Sequence, residues 1–115
     1  MPSTTRYRRG DIVLVSFPFT DLSSSKRRPA LVISPDPFNE QGQDVVLVAI
    51  TSQAPDEQAV TIDEHDCIDG VLPKRSFVKA SKLFTVHTSL ILKRICTLRR
   101  ETLAEVLLRL RQLFS

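Results

Sequence analysis

Near residue 100 the chain changes its hydrophobic period, and that change limits the possible folds more than any other feature of the sequence. Beyond it, Leu103, Val106, Leu107, Leu110, Leu113 and Phe114 recur at steps of three and four, while Arg100, Glu101, Glu105, Arg109, Arg111 and Gln112 fill the other face. The pattern predicts one amphipathic helix over residues 100–114. Its acids lie near the start and its arginines near the end, as the helix dipole favours. Everything before it is made of shorter runs. Asp11–Phe17 (DIVLVSF) is apolar, β-branched and flanked by Gly10 and Pro18, which predicts a strand. Residues 29–34 (PALVIS) and 44–50 (DVVLVAI) are two more, apolar throughout and therefore expected to be buried on both faces. Shorter strands are expected at residues 59–63, once or twice within 76–86, and at 93–97.

Six or seven short strands and one terminal helix in 115 residues predict a mainly β domain with a C-terminal helix. The expected architecture is a small, strongly bent antiparallel barrel that the helix plugs or flanks. One domain over residues 1–115 is expected, with residues 1–9 a flexible N-terminal arm. Residues 18–26 read as a loop, and residues 65–73 as an acidic turn region closed by Gly70. Residues 35–43 carry two prolines and a glycine and are long for a hairpin connection, so they are expected to be a mobile or binding loop.

Composition excludes several classes. The longest apolar run, residues 45–50, is far short of the roughly 20 residues of a membrane span. Arg6, Arg8 and Arg9 are not followed by an apolar core of signal-peptide length, so a cytoplasmic protein is expected. Cys67 and Cys96 stand far apart, and with His65 and His87 they form no CxxC or HxxxH spacing. Neither a metal nor any other cofactor is expected, and an unexported domain of this size does not need a disulfide. The net charge is only +3, but it is unevenly spread. Of the eleven arginines and five lysines, 14 cluster at residues 6–9, 26–28, 74–82 and 93–100, while six of the 13 acids fall within residues 56–69. Basic regions of this kind suit an anionic partner such as RNA, although charge alone favours a solubilising surface.

The hairpin supplies a candidate site. If residues 29–34 pair antiparallel with 44–50, the residue opening the first strand meets the one closing the second. Those residues are Arg28 and Thr51, with Ser52 next in line and Lys26 and Arg27 adding positive charge. A guanidinium fork and neighbouring hydroxyls are suited to a phosphate. In residues 76–81 (SFVKAS), alternation puts Phe77, Lys79 and Ser81 on one face and Val78 and Ala80 on the other. A surface cation at Arg28 and an ordinary half-exposed strand at 76–81 fit the same residues.

The ordered set GDIVLVSFPFTD at residues 10–21, KRRPALVIS at 26–34, VAITSQ at 48–53 and SFVKASKLFTV at 76–86 resembles the MazF/PemK toxins, over about residues 9–114. The resemblance implies an SH3-like barrel, a homodimer with RNA in a groove across it, and cleavage of single-stranded RNA at short motifs. It also implies neutralisation by a cognate antitoxin whose C-terminal segment occupies that groove. The family's catalytic arginine matches Arg28, its threonine Thr51, and the basic residue of its later strand Lys79. Asp21, Lys26, Arg27, Lys79, Ser81 and Lys82 make up the expected RNA-binding set, beside Arg28, Thr51 and Ser52 as catalytic groups. Two positions depart from the pattern: Ser81 stands where several members carry an aspartate proposed as general base, and Cys96 where glycine is common.

The implied chemistry is metal-free attack of a ribose 2′-hydroxyl on the adjacent phosphorus, with Arg28 as electrostatic clamp and Thr51 and Ser52 as hydrogen-bond donors. Arg28 is too basic to take the proton. Asp11, Asp21 and His87 are the candidates for that task, and the sequence does not rank them beyond His87's natural titration near neutrality. Two other readings compete: a non-cleaving RNA- or DNA-binding barrel, and a CcdB-like toxin that acts on gyrase. The CcdB toxins lack the Arg-Pro and Thr-Ser arrangement present here.

Overall fold

In the computed structural model, which describes residues 7–17, 26–53 and 59–115, the three apolar runs form adjacent strands. They are β1 (Asp11–Phe17), β2 (Lys26–Val32) and β3 (Asp44–Thr51). With β4 (Ala59–Ile62), β5 (Cys67–Ile68), β6 (Ser76–His87) and β7 (Ile91–Leu98) they make an antiparallel sheet in the order β4-β6-β3-β2-β1-β7-β5.

The sheet curls so that both faces of its central strands are covered, which is why β2 and β3 read as unbroken apolar runs. Ile12, Leu31, Val48, Ile50 and Val78 join one core cluster, closed by Val106 and Leu110 of the C-terminal helix α2 (Arg100–Leu113). Val13, Val15, Ala30, Val32, Val45 and Leu47, their alternate neighbours, join the second, closed by Val86 and Ile91. The helix matches its sequence pattern to within one residue. Its start is tied down where the Thr102 hydroxyl donates to Asp66 Oδ1 at 2.6 Å and Arg99 N–H to the Asp66 carbonyl at 2.7 Å.

β6 serves both clusters because of a bulge. Ala49 faces Lys79, yet the next rung pairs Val48 with Leu83, so β6 carries three more residues than β3 at that point. An odd insertion flips the facing of everything beyond it. Val78 and Ala80 accordingly enter the first cluster, while Phe84 and Val86, of the same parity, enter the second. The alternation expected for residues 76–81 therefore holds only as far as the bulge, where Ser81 and Lys82 lie exposed.

Two connections differ from expectation. Residues 35–43 are not a mobile loop: they contain a short helix, α1 (Asp36–Gln41), begun by a proline in its first turn. Its Asn39 is buried, contacts the Ser34 hydroxyl, and donates from Nδ2 to the Ser34 and Tyr7 carbonyls at 3.0 Å each. Arg9 N–H adds a bond to Asp36 Oδ1 at 2.9 Å, so residues 7–9, assigned to an arm, are anchored here. The acidic turn region is also ordered, as a 3₁₀ turn (Glu64–Asp66) leading into β5. Gly70 follows at φ +145, where a Cβ would sit 2.2 Å from the Ile95 carbonyl oxygen, so only glycine lets this segment lie against β7.

Candidate functional site

The β2–β3 pairing sets the site. Ala30 faces Ala49, and carrying that register two residues further brings Arg28 level with Thr51, itself opposite Phe77 of β6. Beyond the buried alanines the strands emerge from the core, and their ends open into a cleft of about 430 Å³. Arg28, Thr51 and Ser52 all line it, as do Lys26 and Arg27. The sequence argument for this meeting of strand ends thus agrees with the geometry.

Three polar lining residues were missed: Gln53, Lys74 and Ser76. Lys74 comes from the segment before β6 and Ser76 opens β6 itself, and a long-range approach of that kind has no local signal in the sequence. The clustering of cations at residues 74–82 was the nearest hint. Ser76 is 5% exposed, and its hydroxyl donates to the Lys74 carbonyl at 3.1 Å, fixing the turn that carries Lys74. Gln53 N–H donates to Thr51 Oγ1 at 3.1 Å. That bond occupies a lone pair of the hydroxyl and leaves its hydrogen to donate outward.

The electrostatics are one-sided. Lys26, Arg27, Arg28 and Lys74 gather around three hydroxyls, and no carboxylate is among the described residues that line the cleft. Like charges collected without counter-charge repel, an arrangement that favours an anionic occupant. A phosphodiester satisfies both halves of the lining, with oxygens for the guanidinium fork and for the hydroxyls. Among the described residues no group of His, Cys, Asp and Glu could hold a metal ion.

The remaining candidates fall elsewhere. Lys79 faces Ala49, two residues along β3 from Thr51, and with Ser81 and Lys82 it lies outside the cleft lining. Asp11 is not placed to act as a base. It is 5% exposed, and its carboxylate accepts from Arg8 N–H at 2.9 Å and from the Thr97 hydroxyl at 3.0 Å. His87 is farther away still, since it pairs with Asp44, seven residues from Thr51 or about 23 Å of strand. Its Nδ1 accepts from Ser89 N–H at 3.0 Å, so Nε2 carries the hydrogen and donates to Gln43 Oε1 at 2.6 Å. Asp21 lies outside the described residues. No helix among the described residues is long and apolar enough to cross a membrane.

Known proteins share this architecture. A MazE–MazF complex from Deinococcus radiodurans superposes with a TM-score of 0.80 at 24% identity, covering 96% of this chain and 97% of that one. MazF from the same organism gives 0.76 at 25% identity, covering 96% and 98%. An endoribonuclease in complex with its cognate antitoxin from a mycobacterial species gives 0.75 at 19% identity, covering 96% and 95%. No curated protein matches the sequence significantly. The sequence model of the PemK-like, MazF-like toxins, however, matches residues 8–114. With that match spanning nearly its whole length, the chain belongs to the family of PemK-like, MazF-like toxins of type II toxin–antitoxin systems.

Proposed function

We propose that this toxin is an endoribonuclease that cuts single-stranded RNA without a metal, using the cleft between the ends of β2 and β3. The supporting observation is the convergence there of Arg28, Thr51 and Ser52 within a lining of four cations and no described carboxylate. Similar solved structures described as endoribonucleases favour the same activity.

In the proposed reaction a ribose 2′-hydroxyl gives up its proton, its oxygen bonds to the adjacent phosphorus, and the P–O5′ bond breaks with O5′ taking up a proton. The products are a 2′,3′-cyclic phosphate and a 5′-hydroxyl. Negative charge grows on the non-bridging oxygens in the transition state, where a preorganised guanidinium and hydroxyl bind it more strongly than they bind the ground state. Arg28 is the clamp, Thr51 and Ser52 donate hydrogen bonds, and Lys26, Arg27 and Lys74 hold the flanking phosphates. Lys79 and Lys82 extend the RNA path along β6, beside Ser81. The natural partners on this reading are single-stranded RNA, a second copy of the chain, and a cognate antitoxin whose acidic segment competes for the cleft. A cytoplasmic location follows from an mRNA substrate.

The test is incubation of the purified protein with mixed-sequence RNA in EDTA, followed by mapping of the ends. Cleavage is expected to persist, leaving cyclic phosphate and 5′-hydroxyl ends, and to slow by about 10²–10³-fold in Arg28→Ala. Loss of cleavage on chelation, or full activity in Arg28→Ala, refutes the assignment. RNA binding that leaves every backbone bond intact makes the chain a binding barrel instead.

A further inference from the structure

The two cysteines, 29 residues apart in sequence, meet in the fold. Cys96 Sγ donates to Cys67 Sγ at 2.8 Å. We propose that Cys67 and Cys96 are a dithiol modification site, which hydrogen peroxide converts into an intrachain disulfide stapling β5 to β7.

β5 is two residues long and, among the described strands, pairs only with β7 at one edge of the sheet. Cys67 is nevertheless held in place from both sides. On one, Asp66 accepts from the Thr102 hydroxyl and from Arg99 N–H. On the other, Arg94 bridges to the Asp69 carboxylate at 2.9 Å, and Gly70 packs directly on Cys96. Two thiols fixed within contact distance act at a very high effective concentration. Forming the bond shortens their separation by about 0.8 Å.

The two residues differ in burial. Cys96 is fully buried, whereas Cys67 is only partly buried. Cys67 is therefore the thiol that attacks the peroxide. Its thiolate forms an S–O bond as the O–O bond breaks, giving a sulfenic acid and water. The Cys96 sulfur then attacks the Cys67 sulfur, the S–O bond breaks, and the hydroxyl leaves as a second water with the Cys96 proton. Two thiols lose two electrons and the peroxide gains them. Burial pushes the Cys96 thiol up to about 12. Burial also raises Cys67, against the lowering effect of the hydrogen bond it accepts from Cys96. Thiolate is scarce at neutral pH in consequence, so oxidation is slow there and accelerates as pH rises.

The experiment treats the full-length, reduced protein with hydrogen peroxide, blocks remaining thiols by alkylation, and measures intact and peptide masses. The expected result is a loss of about 2 Da and a peptide pair joined through Cys67 and Cys96, both reversed by dithiothreitol. Closing this loop should raise the Tm by about 5–10 °C. In Cys96→Ala, Cys67 should stop at a sulfenic acid that dimedone traps; in Cys67→Ser, Cys96 should stay unmodified. Two thiols that still alkylate after peroxide, oxygen adducts without a cross-link, or a bond between separate chains would each overturn the proposal.

Discussion

At the Thr51 end of β3, four cations and three hydroxyls surround an open cleft with no described carboxylate among them. At the Asp44 end lies a second polar cavity, of about 490 Å³, lined by Tyr7, Asn39, Gln43, His87 and Ser89. There several side chains are bonded, His87 to Gln43 and Ser89, and Asn39 to Ser34 and the Tyr7 carbonyl, with Glu40 in the same lining. Side chains bonded in this way hold structure together and have little capacity left for a ligand. The cationic end has the opposite character, since no described residue of its lining is an acid and an incoming anion would balance its charges. The contrast distinguishes the surroundings of His87 from those of Arg28 more cleanly than residue type alone.

Substitutions should follow that division. The largest effect is expected for Arg28→Ala, which removes the clamp and should lower the single-turnover cleavage rate by about 10²–10³-fold. Thr51→Val keeps the shape of the side chain and removes the donor, so a loss near 10²-fold is expected, with Thr51→Ser retaining most of the rate. Asn39→Ala, at the other end, should cost stability rather than chemistry. Urea denaturation should show a loss of about 1–3 kcal/mol, because the Ser34 and Tyr7 groups it serves lose their partner, while the rate per folded molecule stays constant. A fall in rate matching Arg28→Ala would erase the distinction between the two ends.

Smaller effects refine it. Lys74→Ala should weaken RNA binding evenly across sequences and flatten the dependence of log affinity on log salt by about 0.7, the value for one phosphate contact on a single strand. An unchanged slope would place Lys74 outside the RNA path. His87→Gln should alter the rate by less than about twofold, given some 23 Å of intervening strand. A bell-shaped pH–rate profile that loses its acid limb in this variant would return His87 to the chemistry.

Much of this was legible in the sequence because local pattern and tertiary environment agree. β1, β2, β3 and α2 carry periods that match their burial, and antiparallel pairing alone brings Arg28 to Thr51. What was not legible depends on distant partners. α1 is six residues long and is held by Ser34, Tyr7 and Arg9 rather than by helix propensity. β5 is too short to leave a period. The β6 bulge reverses facing in mid-strand, so simple alternation misassigns everything after Ala80. Lys74 and Gln53 enter the cleft from connecting segments whose course only the assembled sheet determines. The cysteine pair was missed for the same reason.

The most direct test is a double-mutant cycle on single-turnover RNA cleavage, combining Arg28→Ala with Thr51→Val. Groups that grip the same phosphodiester act as a unit, so the double variant should be slowed little more than Arg28→Ala alone, with a coupling of about 1–3 kcal/mol. Losses that simply multiply would mean that the two side chains act independently, and the shared phosphate site at the ends of β2 and β3 would have to be abandoned.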